Sequence, residues 1–131
     1  MDSRPGGGPR RSGIGPRERA ALRLQLLGEL DRVRGQVAGF RSTLDGLLAA
    51  ADLEPPDDEH DPDGTTAYER AQVASLLAEA DRRASALEQA LASIDEPGFG
   101  ICGGCGEPIG VERLQAVPGT ERCVRCAGAG R

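Results

Sequence analysis

Residues 26–51, LLGELDRVRGQVAGFRSTLDGLLAAA, place Leu26, Leu30, Val33, Val37, Phe40, Leu44, Leu47 and Ala51 at successive spacings of 4, 3, 4, 3, 4, 3 and 4. Apolar residues alternating three and four apart fall on one stripe of an α-helix, and a stripe kept for more than three heptads is the pattern of a coiled-coil seam. Gly28, Gly35, Gly39 and Gly46 lie between the seam positions. Each costs a helix interior about 1 kcal/mol relative to Ala, so this helix depends on a partner for its stability. Its start is set at Pro16, whose fixed φ and missing N–H suit a first turn, and its end near Leu53, ahead of Pro55-Pro56.

The partner lies further along the same chain. Val73, Leu77, Ala80, Ala84, Leu87, Leu91 and Ile94 repeat at 4, 3, 4, 3, 4 and 3. Thr66 and Glu69 have the spacing of a capping box after a turn-forming Asp63-Gly64, which predicts a helix start there, and Pro97-Gly98 predicts its end. Two matched seams joined by a short loop predict an antiparallel hairpin, with Ala80 and Ala84 facing large residues so that the axes approach closely. At 1.5 Å per residue, about 30 helical residues would span on the order of 45 Å. An intermolecular coiled coil is the alternative, disfavoured because both seams sit in one chain with a loop of hairpin length.

Composition agrees with a thin core. Phe40, Phe99 and Tyr68 are the only aromatic residues among 131, and there is no Trp. All 16 basic residues are Arg. The formal charge of -5 is local: Asp52, Glu54, Asp57, Asp58, Glu59, Asp61 and Asp63 are seven of the 21 acids, and the other 14 face 16 bases. Such a cluster suits a basic or metal-containing partner and disfavours contact with nucleic acid at that spot. Residues 1–15 combine Gly, Pro and Arg without periodicity, as in a disordered tail. No apolar run reaches the roughly 18 residues of a membrane span and no hydrophobic leader follows the first arginines, so a cytoplasmic protein is expected.

In a reducing compartment the four cysteines read as metal ligands. Cys102-Gly-Gly-Cys105, 17 intervening residues and Cys123-Val-Arg-Cys126 fit the C-x2-C…C-x2-C zinc pattern. Two residues between thiolates let both sulfurs converge on one tetrahedral ion, and Gly103, Gly104 and Gly106 permit the tight turn. Four thiolates leave no open position for water, so one structural Zn²⁺ is expected rather than a catalytic one. Zinc binding of about 10–16 kcal/mol in small peptides exceeds what Ile101, Ile109, Val111, Leu114 and Val117 could supply by burial. Disulfides and an iron–sulfur cluster are weaker readings. A redox switch that releases the ion on oxidation is an alternative use of the same thiols.

The expected organisation is mainly α: a disordered tail over 1–15, a long antiparallel coiled-coil helical hairpin over 16–95 with an acidic tip loop at about 52–65, and a small C-terminal four-cysteine zinc finger over 96–131. The run Phe99-Gly100-Ile101-Cys102-Gly-Gly-Cys105-Gly106-Glu107-Pro-Ile109-Gly110-Val-Glu-Arg113-Leu114-Gln-Ala116-Val-Pro118, ending in Cys123-Val-Arg-Cys126, resembles the zinc-finger signature of the DksA/TraR family. With the preceding hairpin, the resemblance covers about residues 16 to 127. It implies a bacterial transcription regulator that binds RNA polymerase directly, inserting the hairpin into the secondary channel so that tip carboxylates approach the catalytic centre.

On the family's Asp-x-x-Asp-x-Ala tip, Asp58 and Asp61 take the two Asp positions and Asp63 stands in place of Ala; an ungapped alignment back from Cys102 puts Glu59 and Pro62 there instead. Asp58, Asp61 and Asp63 are the predicted polymerase-contacting residues. The family's guanosine tetraphosphate site uses basic residues where this chain has Ala86, Val117 and Ala127, so that site is not expected here. The chain ends five residues after Cys126, and the C-terminal helix of larger family members is not expected.

The residues bear on other functions as well. Read as a calcium loop from Glu59, the tip has Arg70 where the bidentate Glu belongs, so calcium is not expected and His60 reads as an exposed loop residue. Arg113 is a candidate contact for polymerase or nucleic acid, or equally an arginine that supports the zinc loops; Arg122 and Arg125 flank the second Cys pair. A zinc-ribbon DNA-binding protein is the main rival, disfavoured by the lack of stacking aromatics and of a recognition helix. A coiled-coil adaptor for a non-polymerase partner is the third reading. One His, no nucleophile–base pair and no open metal position argue against an enzyme. No sequence-specific DNA binding is expected, and the protein is expected to be a monomer.

Overall fold

A computed structural model describes residues 13–53 and 63–128. Two long helices, α1 (Pro16–Leu53) and α2 (Asp63–Ser93), are followed by two short ones, α3 (Val111–Ala116) and α4 (Val124–Gly128). Among the described residues there is no strand, only an isolated antiparallel bridge between Ile101 and Pro108. The tail up to residue 12 and the tip acids Asp58 and Asp61 lie outside the described residues, while Asp63 is the first residue of α2.

Helix α1 has the predicted limits. Helix α2 starts earlier than the capping box implied: it begins at Asp63, so Thr66 and Glu69 are inside it and Asp63-Gly64 is helical. A glycine there is cheap, because the first four amides of a helix have no carbonyl partner in the helix in any case. Helix α2 ends at Ser93, and turns bonded Glu96 N–H to Ser93 O (2.9 Å) and Phe99 N–H to Glu96 O (3.1 Å) lead into the cysteine segment.

The chain divides into two compact units, one holding the chain up to Glu29 together with Ala86 onward, the other Leu30–Ser85. In the Leu30–Ser85 unit, α1 and α2 pair antiparallel. Leu30, Val33, Ala80 and Ala84 are buried, and Val37, Phe40, Leu44, Leu47, Ala51, Val73 and Leu77 are half-buried. The small Ala80 and Ala84 side chains sit inside the seam as the sequence pattern required. Arg41 and Asp81 form an exposed ion pair at 3.9 Å between the two helices.

The other unit bears the cysteines. Leu22 and Leu26 of α1 and Leu87 and Ile94 are buried, together with Ile109 and Leu114 from the cysteine segment. Burying a leucine-sized side chain contributes about 1.5–3 kcal/mol, so this mixed core is the main source of stability apart from metal. Three polar ties fix its parts. The Arg19 guanidinium donates to the carbonyl of Ile94, Arg23 pairs with Asp95 at 2.5 Å, and Gln25 Nε2 donates to the carbonyl of Gln115 at 2.5 Å. Gly119, at φ 85°, lets the loop after α3 lie on α2, where a Cβ would stand 3.5 Å from the Ala86 backbone and from Leu87 Cδ2. Any L residue there would be strained by its φ alone.

Candidate metal centre

Each pair of cysteines is held by its own backbone turn. The first loop follows from the Ile101–Pro108 bridge: Cys102 N–H donates to Glu107 O (2.8 Å), Gly106 N–H returns to Cys102 O (2.9 Å), and Ile109 N–H donates to Gly100 O (2.8 Å). The second pair spans the start of α4, with Ala127 N–H bonded to Cys123 O at 3.0 Å. Gly103 N–H donates to Glu121 O at 2.9 Å and joins the two loops.

The sulfurs converge. All four Sγ atoms lie within 4.8 Å of one another, and Cys105 and Cys123 Sγ are 3.8 Å apart. Four thiolates at a Zn–S distance of about 2.3 Å would stand about 3.8 Å from one another at the corners of a tetrahedron, so the cage fits one zinc ion. All four cysteines are free thiols. Cys102 and Cys123 are buried, Cys126 is half-buried and Cys105 is exposed.

Amide groups prepare the sulfurs for a cation. Cys123 N–H and Gly104 N–H each donate to Cys102 Sγ at 3.3 Å. Backbone hydrogen bonds, that from Cys123 first, then Cys105 and Gly104, lower the Cys102 thiol to about 6. Cys123 is lowered as well, chiefly by the backbone of Cys126. Cys126 is pushed up to about 12 because its thiol proton is hydrogen-bonded to the other sulfurs, Cys102 first. A bound ion would displace the thiol protons and bring all four cysteines to thiolate. Four sulfur ligands fill zinc's tetrahedron, and the ion they hold is structural.

Gly104 is packed against this cage, where a Cβ would sit 3.0 Å from Cys126 Sγ. Arg113 on α3 donates through Nε to the carbonyl of Arg122 at 3.3 Å, so its side chain props the approach to Cys123. Thr120, not singled out from the sequence, braces the same turn: Oγ1 donates to Arg122 O (3.1 Å) and accepts from Arg122 N–H (3.3 Å). A hydroxyl residue two before the turn it bridges is the signal that could have found it. The positions of Ala86, Val117 and Ala127 are surface positions with no cationic side chain.

Residues 97–129 match the prokaryotic dksA/traR C4-type zinc finger family. Over 40 residues, 30% of this chain, the sequence is 42% identical to the RNA polymerase-binding transcription factor DksA of Haemophilus influenzae, and the match spans 28% of that relative's length. The fold matches that of the transcription factor DksA2 from Pseudomonas aeruginosa with a TM-score of 0.73 at 20% identity, over 91% of this chain and 87% of that one. Residues 97–129 are thus similar to the dksA/traR C4-type zinc finger, and the chain shares the fold of DksA2.

Proposed function

We propose that this protein is a transcription regulator that binds RNA polymerase directly, its hairpin entering the secondary channel and its acidic segment approaching the catalytic centre. The observation that carries the reading is the presence, on one chain, of a dksA/traR finger and a fold shared with DksA2 over 91% of the residues. In this reading residues 16–95 are the working hairpin and residues 96–131 the finger that anchors it, with Cys102, Cys105, Cys123 and Cys126 as the zinc ligands. Asp58, Asp61 and Asp63 are assigned to the tip contact. Carboxylates concentrated between two helices would be drawn to a site rich in Mg²⁺ and basic side chains. Arg113 is assigned to the support of the finger, since its guanidinium is engaged by the Arg122 carbonyl.

With alanine or valine at positions 86, 117 and 127, this chain supplies no cation there toward guanosine tetraphosphate. The protein works as a cytoplasmic monomer without catalysis of its own. None of the described helices is long and apolar enough to cross a membrane.

The test is co-purification with RNA polymerase core at low salt, comparing the zinc-loaded protein with a variant carrying Asp58→Asn, Asp61→Asn and Asp63→Asn. The wild type should be retained and the variant retained less. Absence of wild-type binding would favour an adaptor for another partner, and a mobility shift with DNA alone would favour a DNA-binding ribbon.

A further inference from the structure

The two units are stabilised very unequally. Among the described residues of the Leu30–Ser85 unit four side chains are buried, and two of these are the small Ala80 and Ala84. From Val37 to Ala51, and at Val73 and Leu77, every seam residue stays half-exposed, because a lone pair of helices covers only one side of each. The Arg41–Asp81 pair has side chains 60% and 50% exposed, and such a pair contributes little.

Glycine weakens this unit further, for no internal reason. Gly35, Gly39 and Gly46 are exposed on α1, none has positive φ, and a Cβ at each would meet nothing within 4 Å. Neither backbone conformation nor close packing requires them. The zinc-bearing unit, in contrast, buries Leu22, Leu26, Leu87, Ile94, Ile109 and Leu114 and also holds the metal cage.

We propose that residues 34–51 of α1 and 66–79 of α2 form a separately opening cooperative unit, its stability held down by the three outward glycines, which unfolds and refolds while the zinc-bearing unit stays intact. Elements of this kind lie at the low end of a protein's local stability, where few buried contacts oppose opening. Opening costs only the half-buried seam, so it precedes global unfolding.

Native-state hydrogen exchange on the zinc-loaded full chain tests this without polymerase, and so independently of the proposed function. Amides of 34–51 and 66–79 should be at least about tenfold less protected than those around Leu22, Leu26 and Leu87. Gly35→Ala, Gly39→Ala and Gly46→Ala should each raise protection in those segments about fivefold, and together about a hundredfold, until the level of the zinc-bearing unit is reached. Gly28→Ala, outside the opening segment and equally free of neighbours, should leave their protection unchanged. A single protection level across both units would overturn the proposal. So would glycine replacements that leave the two segments unmoved, or a Gly28→Ala that raises them as much as the other three.

Discussion

At Gly104 the finger has no room for a methyl group: a Cβ there would lie 3.0 Å from Cys126 Sγ and 3.7 Å from Cys102 Sγ. An alanine must push on the Cys126 sulfur, one of the four that hold the metal. Overpacking of this kind costs about 1–3 kcal/mol, which corresponds to roughly a ten- to hundredfold weaker zinc affinity for Gly104→Ala. Gly98→Ala, at a position open to solvent and without positive φ, is the control and should bind zinc as the wild type does. Chelator competition measures both, and equal affinities would show that the approach of backbone to sulfur is not tight. At this scale the sequence made the ligands legible, because C-x2-C spacing states its chemistry outright. It did not separate Gly104 from Gly103 and Gly106, since closeness to a sulfur contributed from the second cysteine pair, far along the chain, is a tertiary fact. The same holds for Arg113, whose partner is a backbone carbonyl nine residues away.

At the scale of elements, the seams are the best-read feature of the chain. Every residue assigned to them from Leu26 to Ala51 and from Val73 to Ile94 is buried or half-buried, because a side chain's depth in a helix pair follows from its place in the heptad. The start of α2 was less legible. A Thr with a Glu three residues on satisfies the capping pattern wherever it occurs, and here the helix already runs through it. Helices α3 and α4, six and five residues long, were not foreseen, being too short to display a period and placed by the turns around the cysteines. Depth in the seam should decide the cost of truncation. Leu87 is 0% exposed and touches the Gly119 loop as well as lying in the seam, so Leu87→Ala should lose about 2–5 kcal/mol in urea unfolding of the zinc-loaded protein. Leu76, 45% exposed on α2, should lose less than about 1 kcal/mol on the same change. Similar losses at both sites would mean that the heptad pattern does not locate the core.

At the scale of the molecule, metal and helices are coupled inside one unit. The finger holds few helical residues, six in α3 and five in α4 against 38 in α1 and 31 in α2, so stripping zinc should remove little of the helical circular dichroism at low temperature. Stability should nevertheless fall. With the cage gone, the Gly119 loop no longer covers Ala86 and Leu87, the Gln25–Gln115 bond is released, and Ile109 and Leu114 leave the core they share with Leu22 and Leu26. Loss of those contacts amounts to at least about 3 kcal/mol, or a fall in Tm of more than about 10 °C for a chain of this size. Re-addition of zinc should restore the Tm, since the metal binds the folded cage and not the unfolded chain. The measurement is a thermal melt with and without a chelator, with metal content determined on the same samples. A chain verified to be free of zinc that melted at the wild-type temperature would show that the cysteine cage is not what holds the finger against the helices.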